Sequence, residues 1–257
     1  MLEDFKGKVV LVTGAGSGIG QEAARLFAAR GAHVFCGDVN ESGLAETHDL
    51  ITAAGGKSTT ARVDVSSEKD VSAFVGLIDK EAGRLDAAFN NAGITGGAHR
   101  IEDFPLDDYE RVLAVNLRGV FLGMKYELPL MRQAGGGAIT NTASVAAMTG
   151  PGGMIAYAAS KHGVQGMTRV AAQENAAHRI RVNALAPGWT ETPLVASNSV
   201  QNPAFSKLVE SAIPAHRGAH PKEIAAAAVW LCSDEASYVF GHMLVVDGGM
   251  TIGGFEF

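Results

Sequence analysis

Short runs of consecutive apolar residues alternate along the chain with longer stretches in which apolar positions recur every three or four residues. The first run, Lys8 to Thr13 (KVVLVT), is β-branched and apolar almost throughout, as a strand buried on both faces requires. Behind it a glycine-rich turn, GAGSGIG (Gly14 to Gly20), leads into a helical pattern from Gln21 to Arg30 with Ala24, Phe27 and Ala28 on one face. Ala32 to Gly37 is a second strand ending at Asp38. A helix over Glu41 to Ala54 then stops at Gly55-Gly56, a C-terminal signal. Ser58 to Val63 is a third strand, followed by Asp64-Val65. Ser67 with Asp70 resembles a capping box ahead of the apolar helix face Val71, Phe74, Val75, Ile78.

The second half repeats the rhythm. Leu85 to Phe89 predicts a fourth strand, ending in NNAG (Asn90 to Gly93), and a long helix follows over about Asp107 to Arg132. Ala138 to Thr142 is a fifth strand, followed by a helix reaching about Ala176, and Ile180 to Leu185 is a sixth. Residues 187–218 interrupt the pattern with Pro187, Pro193, Pro203 and Pro214 and weak helical signals. Pro221 then opens a helix to about Cys232, and Met243 to Val246 is the last strand. No repeat or linker is visible. This alternation predicts one α/β domain over 1–257, a doubly wound parallel sheet of Rossmann type, with 187–218 as a substrate-loop segment. Parallel strands joined by right-handed crossovers place segments 14–20, 38, 64–65, 90–93, 144 and 187–192 on one sheet edge, where ligands bind.

Composition narrows the function. The 257 residues carry a net charge of -6 and no Lys/Arg-rich stripe, which argues against a nucleic-acid partner. No apolar run approaches membrane-span length, and the N-terminal MLEDFKGK has no apolar core of a signal peptide, so a cytoplasmic protein is expected. The two cysteines, Cys36 and Cys232, fall in apolar elements and read as buried free thiols. The eight histidines do not cluster at ligand spacing, and no metal is expected.

Chemistry concentrates at two places. Tyr157 and Lys161 are one helical turn apart, so they face the same way, and an ammonium beside a phenol favours the phenolate. The Tyr157 ionisation is therefore expected to fall from its ordinary value of about 10, suiting it to proton exchange with an alcohol or ketone. Ser144 follows the fifth strand closely enough for its hydroxyl to come back over the start of that helix. At the other place, Gly14, Gly18 and Gly20 let the backbone turn tightly against a pyrophosphate at the helix N-terminus; Ser17 and Ile19 belong to the same turn. Asp38, eighteen residues after Gly20, can accept hydrogen bonds from the adenosine ribose.

These motifs, taken in order, resemble the short-chain dehydrogenase/reductase family from Lys6 to Gly249: TGAGSGIG (Thr13 to Gly20), Asp38, Asp64-Val65, NNAG, Asn116, Ser144, YAASK (Tyr157 to Lys161) and Pro187-Gly188. The resemblance implies a tetrad of Asn116, Ser144, Tyr157 and Lys161. Tyr157 would be the acid/base, and Ser144 would bond the substrate oxygen. Lys161 would tune the phenol and hold the nicotinamide ribose, and Asn116, through a helix irregularity, would support a water-linked proton relay to Lys161. It also implies that Asp64 and Val65 flank the adenine, that Asn91 and Gly93 line the cofactor or steady the sheet, and that Thr192 with the backbone near Trp189 holds the carboxamide. The family is mostly dimeric or tetrameric, and a homotetramer is expected. One departure is Ala143, where the family often has Ser.

Asp38 would repel a 2′-phosphate, and neither Val39 nor Ser17 supplies a cation, so the expected cofactor is NAD. The expected substrate is a neutral secondary alcohol or ketone, because Val145, Met148, Met154 and Ile155, and beyond Pro187 Trp189, Leu194, Val195 and Phe205, bring no permanent cation. Two alternatives are a thioester-linked 3-oxoacyl reductase, which would favour NADPH and a basic residue at position 17, and a non-catalytic dinucleotide-binding module, which predicts damage to the tetrad. Ser17 and the intact tetrad speak against them respectively.

Overall fold

The computed structural model describes residues 4–193, 195 and 203–252, without the side chains of 203–206 and 208. Leu194 and the side chain of Phe205, both expected to roof the substrate, lie outside the described residues. Seven parallel strands form one sheet: β1 (Val9–Thr13), β2 (His33–Asp38), β3 (Lys57–Arg62), β4 (Ala87–Asn90), β5 (Gly137–Thr142), β6 (Ile180–Pro187) and β7 (Met243–Val246). Their order is β3-β2-β1-β4-β5-β6-β7. The order reverses between β1 and β4, and a crevice opens there at the strand C-termini.

Side-chain alternation along the strands separates two cores. Val9 and Leu11 of β1 pack with helices α3 (Glu68–Ala82), α5 (Gly119–Ala134) and α6 (Ile155–Asn175). Val10 and Val12 point the other way, into α1 (Gly18–Ala29), α2 (Glu41–Ala53) and α8 (Pro221–Cys232). Both faces are covered, so β1, VVLVT, is buried along its whole length, whereas the edge strand β3, KSTTAR, is polar and partly exposed.

Most expected elements are present with ends shifted by a few residues. The long helix expected over 107–132 is divided. After α4 (Leu106–Leu113), residues Ala114–Arg118 form a π turn in which the Gly119 amide donates to the Ala114 carbonyl, and α5 follows. The irregularity that the family resemblance implied at Asn116 is this turn; the apolar pattern alone reads as one helix because one inserted residue does not interrupt it. The described residues of 187–218 include the helix α7 (Pro203–Ala212). His220 caps α8 in a reciprocal box with Glu223.

Candidate active site

A cleft of about 420 Å³ opens at the C-terminal edge of the sheet. Its lining includes Gly14, Ser17, Gly18, Ile19, Asp38, Asp64, Val65, Asn91, Gly93, Ser144, Tyr157, Lys161, Pro187, Gly188 and Thr192, all singled out from the sequence. Two other expected residues stand behind the wall. Gly20 is buried under the glycine turn, and Asn116 is fully buried behind Gly93.

The turn needs its glycines for different reasons. Gly14 has φ +66°, and a Cβ there would meet the Ala92 Cα at 2.9 Å. A Cβ on Gly20 would lie 2.0 Å from the Gly14 carbonyl oxygen, so α1 packs onto the turn only without a side chain. Ser17 precedes the first residue of α1 and spends no side-chain hydrogen bond on capping it. Asp38 accepts from the Gly16 amide at 2.9 Å and the Asn40 amide at 2.9 Å, which hold its carboxylate at the cleft wall. Asp64 accepts from the Ser66 amide and hydroxyl at 2.9 and 2.7 Å. A bare helix N-terminus, a turn that any Cβ would obstruct and a fixed carboxylate at the next strand end together fit a dinucleotide.

Asn91 also lines the cleft, yet its polar atoms serve the scaffold. Its Nδ2 donates to the carbonyls of Thr13 and Gly14 at 3.2 and 3.3 Å, and its backbone amide donates to the Thr13 hydroxyl at 3.0 Å.

At the opposite end of the cleft the Ser144 hydroxyl accepts from the Ala146 amide at 3.1 Å and is near enough to the Tyr157 phenol to favour its ionised form. Lys161 is almost fully buried, and its Nζ donates to the Thr142 carbonyl at 2.7 Å. The expectation of a lowered Tyr157 ionisation is corrected here. Burial raises it, and the Ser144 hydroxyl offsets only part of that rise. The lysine amine lies 5.6 Å from the phenol ring centre and is itself pushed down to about 8 by burial. In the open cleft, desolvation therefore outweighs the lysine's pull.

Asn116 sits in the π turn with both ends of its carboxamide used. Oδ1 accepts from the Ile94 amide at 2.8 Å, and Nδ2 donates to the Ile94 carbonyl at 2.8 Å and to the Ser160 hydroxyl at 3.2 Å. Ser160 donates in turn to the Tyr157 carbonyl at 2.7 Å. Sequence reasoning missed Ser160, Thr13 and Thr142. Ser160 stands inside YAASK and Thr13, whose hydroxyl holds the Asn91 amide, opens TGAGSGIG, so both could have been found there; Thr142 acts through its backbone carbonyl, which carries no signature. Both cysteines are buried free thiols, Cys36 pushed up to about 12 and Cys232 to about 11. Among the described residues no helix is long and apolar enough to cross a membrane.

Comparison with known proteins gives consistent relatives. A family model described as enoyl-(acyl carrier protein) reductase matches residues 14–251. The chain is 41% identical to a cyclohexanol dehydrogenase of Acinetobacter sp. (strain SE19) over 251 residues, 98% of each chain. It is 41% identical to a mitochondrial borneol dehydrogenase of Lavandula x intermedia over 254 residues, 98% of this chain and 93% of the other. A levodione reductase of Leifsonia aquatica is 41% identical over 256 residues, 96% of this chain and 95% of the other. The crystal structure of a levodione reductase superposes with a TM-score of 0.92 over 96% of this chain and 99% of that one, at 39% identity.

Proposed function

This chain belongs to the short-chain dehydrogenase/reductase family, and from that premise we propose that it interconverts a neutral, mostly apolar secondary alcohol and its ketone with NAD(H). The observation that carries the reading is the meeting of Ser144, Tyr157 and Lys161 in one cleft with the glycine turn and Asp38. The dinucleotide, when bound, supplies the ring that accepts or returns hydride. Gly14 to Gly20 hold its pyrophosphate end, Asp38 its adenosine ribose, Asp64 and Val65 its adenine, and Pro187, Gly188 and Thr192 the carboxamide region.

The chain's own groups handle the proton. Ser144 donates to the substrate oxygen and keeps it within reach of the Tyr157 hydroxyl. Tyr157 takes the alcohol proton in oxidation and gives a proton to the carbonyl in reduction. Lys161 has no carboxylate partner at ion-pair distance among the described residues, so its charge is available to favour an anion at Tyr157 as the cleft fills. The Asn116 π turn backs Gly93 and Lys161 and supports the proton path to the amine.

The neutral-substrate reading is supported by the lining, in which Lys161 is the one basic side chain among the described residues. Arg100, a possible outside cation, is 84% exposed and faces Glu102 at 3.8 Å. The relatives named for cyclohexanol and borneol point to cyclic alcohols as first substrates. The test is NAD reduction with a panel of neutral secondary alcohols, cyclic ones included, beside matched compounds carrying a terminal carboxylate. A higher kcat/KM for the carboxylates overturns the neutral-substrate reading, and binding of NADH without any turnover favours a sensor over an enzyme.

The assembly proposed is a homotetramer in which α5 and α6 pair across subunits, and it forms in the cytoplasm. Phe121 and Val170, half exposed on these two helices, support the pairing. A monomer by light scattering at micromolar concentration contradicts it.

A further inference from the structure

One layer beneath the cleft runs a chain of four buried polar side chains. Asn90, at the end of β4, donates through Nδ2 to Glu127 Oε2 on α5 and to Asn141 Oδ1 on β5, both at 3.0 Å. Asn141 Nδ2 donates in turn to Thr168 Oγ1 on α6 at 3.0 Å. All four residues are buried. The next residues along the two strands face the site: Asn91 lines the cleft, and the Thr142 carbonyl holds Lys161.

Glu127 is the odd member. It has no exposed surface, and Oε1 is the one buried side-chain oxygen or nitrogen without a partner among the described residues. A carboxylate there would be a bare charge with a single donor, which costs far more than a neutral acid with one idle oxygen. Burial accordingly pushes its ionisation up to about 7 against the pull of Asn90. The group that meets it from β4 is the neutral Asn90 amide, and farther along the chain β5 and α6 add the Asn141 amide and the Thr168 hydroxyl. The titratable group that its charge reaches, Cys232 of α8, is itself pushed up to about 11 and stays neutral.

We propose that Glu127 is a positioning residue for Lys161: by accepting from Asn90, and through it fixing Asn141, it sets the ends of β4 and β5 and so the carbonyl that holds the lysine amine. Without that acceptor one Asn90 N–H has no partner in the core, and the carboxamide turns to find one. Asn141 then loses its restraint, and Thr142, its neighbour, moves with it. The rate arm of the test below rests on the dehydrogenase reading; the exchange arm does not.

The experiment compares Glu127→Leu, which removes the acceptor, with Glu127→Gln, which keeps a neutral acceptor of the same shape. Hydrogen exchange is read for 90–93 and 142–144 against β2 and β3, and the pH profile of kcat for alcohol oxidation is read alongside. Glu127→Leu is expected to speed exchange in the two site segments by roughly ten-fold while β2 and β3 hold, and to displace the pH profile to the alkaline side. Glu127→Gln is expected to return both to within about two-fold of wild type. Unchanged or uniformly faster exchange in Glu127→Leu, or a Glu127→Gln that behaves like it, overturns the proposal. If Glu127→Leu does not fold, Glu127→Met removes the carboxyl acceptor with a side chain closer in shape, and its exchange and profile decide by the same criteria. Absent turnover in the wild type defeats the dehydrogenase reading, and exchange alone then decides the role of Glu127.

Discussion

Lys161 reaches past Tyr157 to the backbone: its Nζ donates to the Thr142 carbonyl at 2.7 Å and stands 5.6 Å from the centre of the phenol ring. The amine is thus anchored before any ligand arrives. Alcohol oxidation should speed up with pH as the phenol ionises, and the rise should flatten above about 8, where Lys161 loses the proton whose charge assists it. Lys161→Ala should lower kcat/KM by roughly 10²–10⁴ and weaken NADH binding as well. A profile that climbs with unchanged slope through pH 8 and beyond contradicts the role given to the ammonium.

Tyr157→Phe separates chemistry from binding. It removes the proton carrier and one hydroxyl while keeping the ring against Lys161. Turnover should drop by roughly 10²–10⁴, with NADH fluorescence titrations close to wild type. A near-normal kcat in this variant removes Tyr157 from its role.

The glycines give graded outcomes because their surroundings differ. Gly20→Ala would place a Cβ 2.0 Å from the Gly14 carbonyl oxygen, backbone that cannot give way, so the turn must open and dinucleotide binding be lost. Gly76 is exposed in the interior of α3 with nothing within 4 Å of an added Cβ. Gly76→Ala should therefore stabilise the protein by about 0.5–1 kcal/mol and leave binding alone. Thermal melts with and without NADH distinguish the two; a Gly20→Ala protein that binds normally refutes the steric argument.

Much of this was legible in the sequence. β-Branched runs marked several inner strands, and the motifs at their ends marked most of the cleft lining, without Val63, Ile94, Val115 or Thr190. What stayed hidden depends on position in space. The π turn at Asn116 was implied as a helix irregularity by the family resemblance, and the apolar pattern by itself did not divide the helix there. The sign of the Tyr157 shift depends on how deeply its phenol packs and on where Lys161 Nζ points, and neither follows from their four-residue spacing. Glu127 lies within what reads as one long helix, and only the packing of that helix on the sheet brings Asn90, and behind it Asn141, to its carboxyl.

Cofactor choice turns on Asp38. Its carboxylate is held by the Gly16 and Asn40 amides and cannot swing away from an added phosphate. Like charges in a partly dry cleft repel strongly, so kcat/KM with NAD should exceed that with NADP by roughly 10²-fold or more. Asp38→Ser should narrow that ratio, mainly by improving NADP. Equal or better use of NADP by the wild type refutes the assignment.

Glu127 makes a prediction about stability that needs no substrate. In the unfolded chain its carboxyl ionises at its ordinary value of 4.5, and in the folded protein burial holds the proton up to about 7. Between those values the folded state binds the extra proton, so this group makes stability fall as pH rises from about 4.5 to about 7, and the loss is complete above that. The shift corresponds to roughly 3 kcal/mol as an upper figure, since relaxation around the carboxylate reduces it. Glu127→Gln cannot ionise and escapes the loss. The variant differs from wild type at this one group, so other titrations cancel in the comparison. Relative to wild type, its melting temperature should therefore be higher at pH 8 than at pH 5 by several degrees, whatever the absolute offset from its own unpaired amide. Equal differences at the two pH values mean that Glu127 does not change its ionisation on folding, and the neutral acid beneath the cleft is then ruled out.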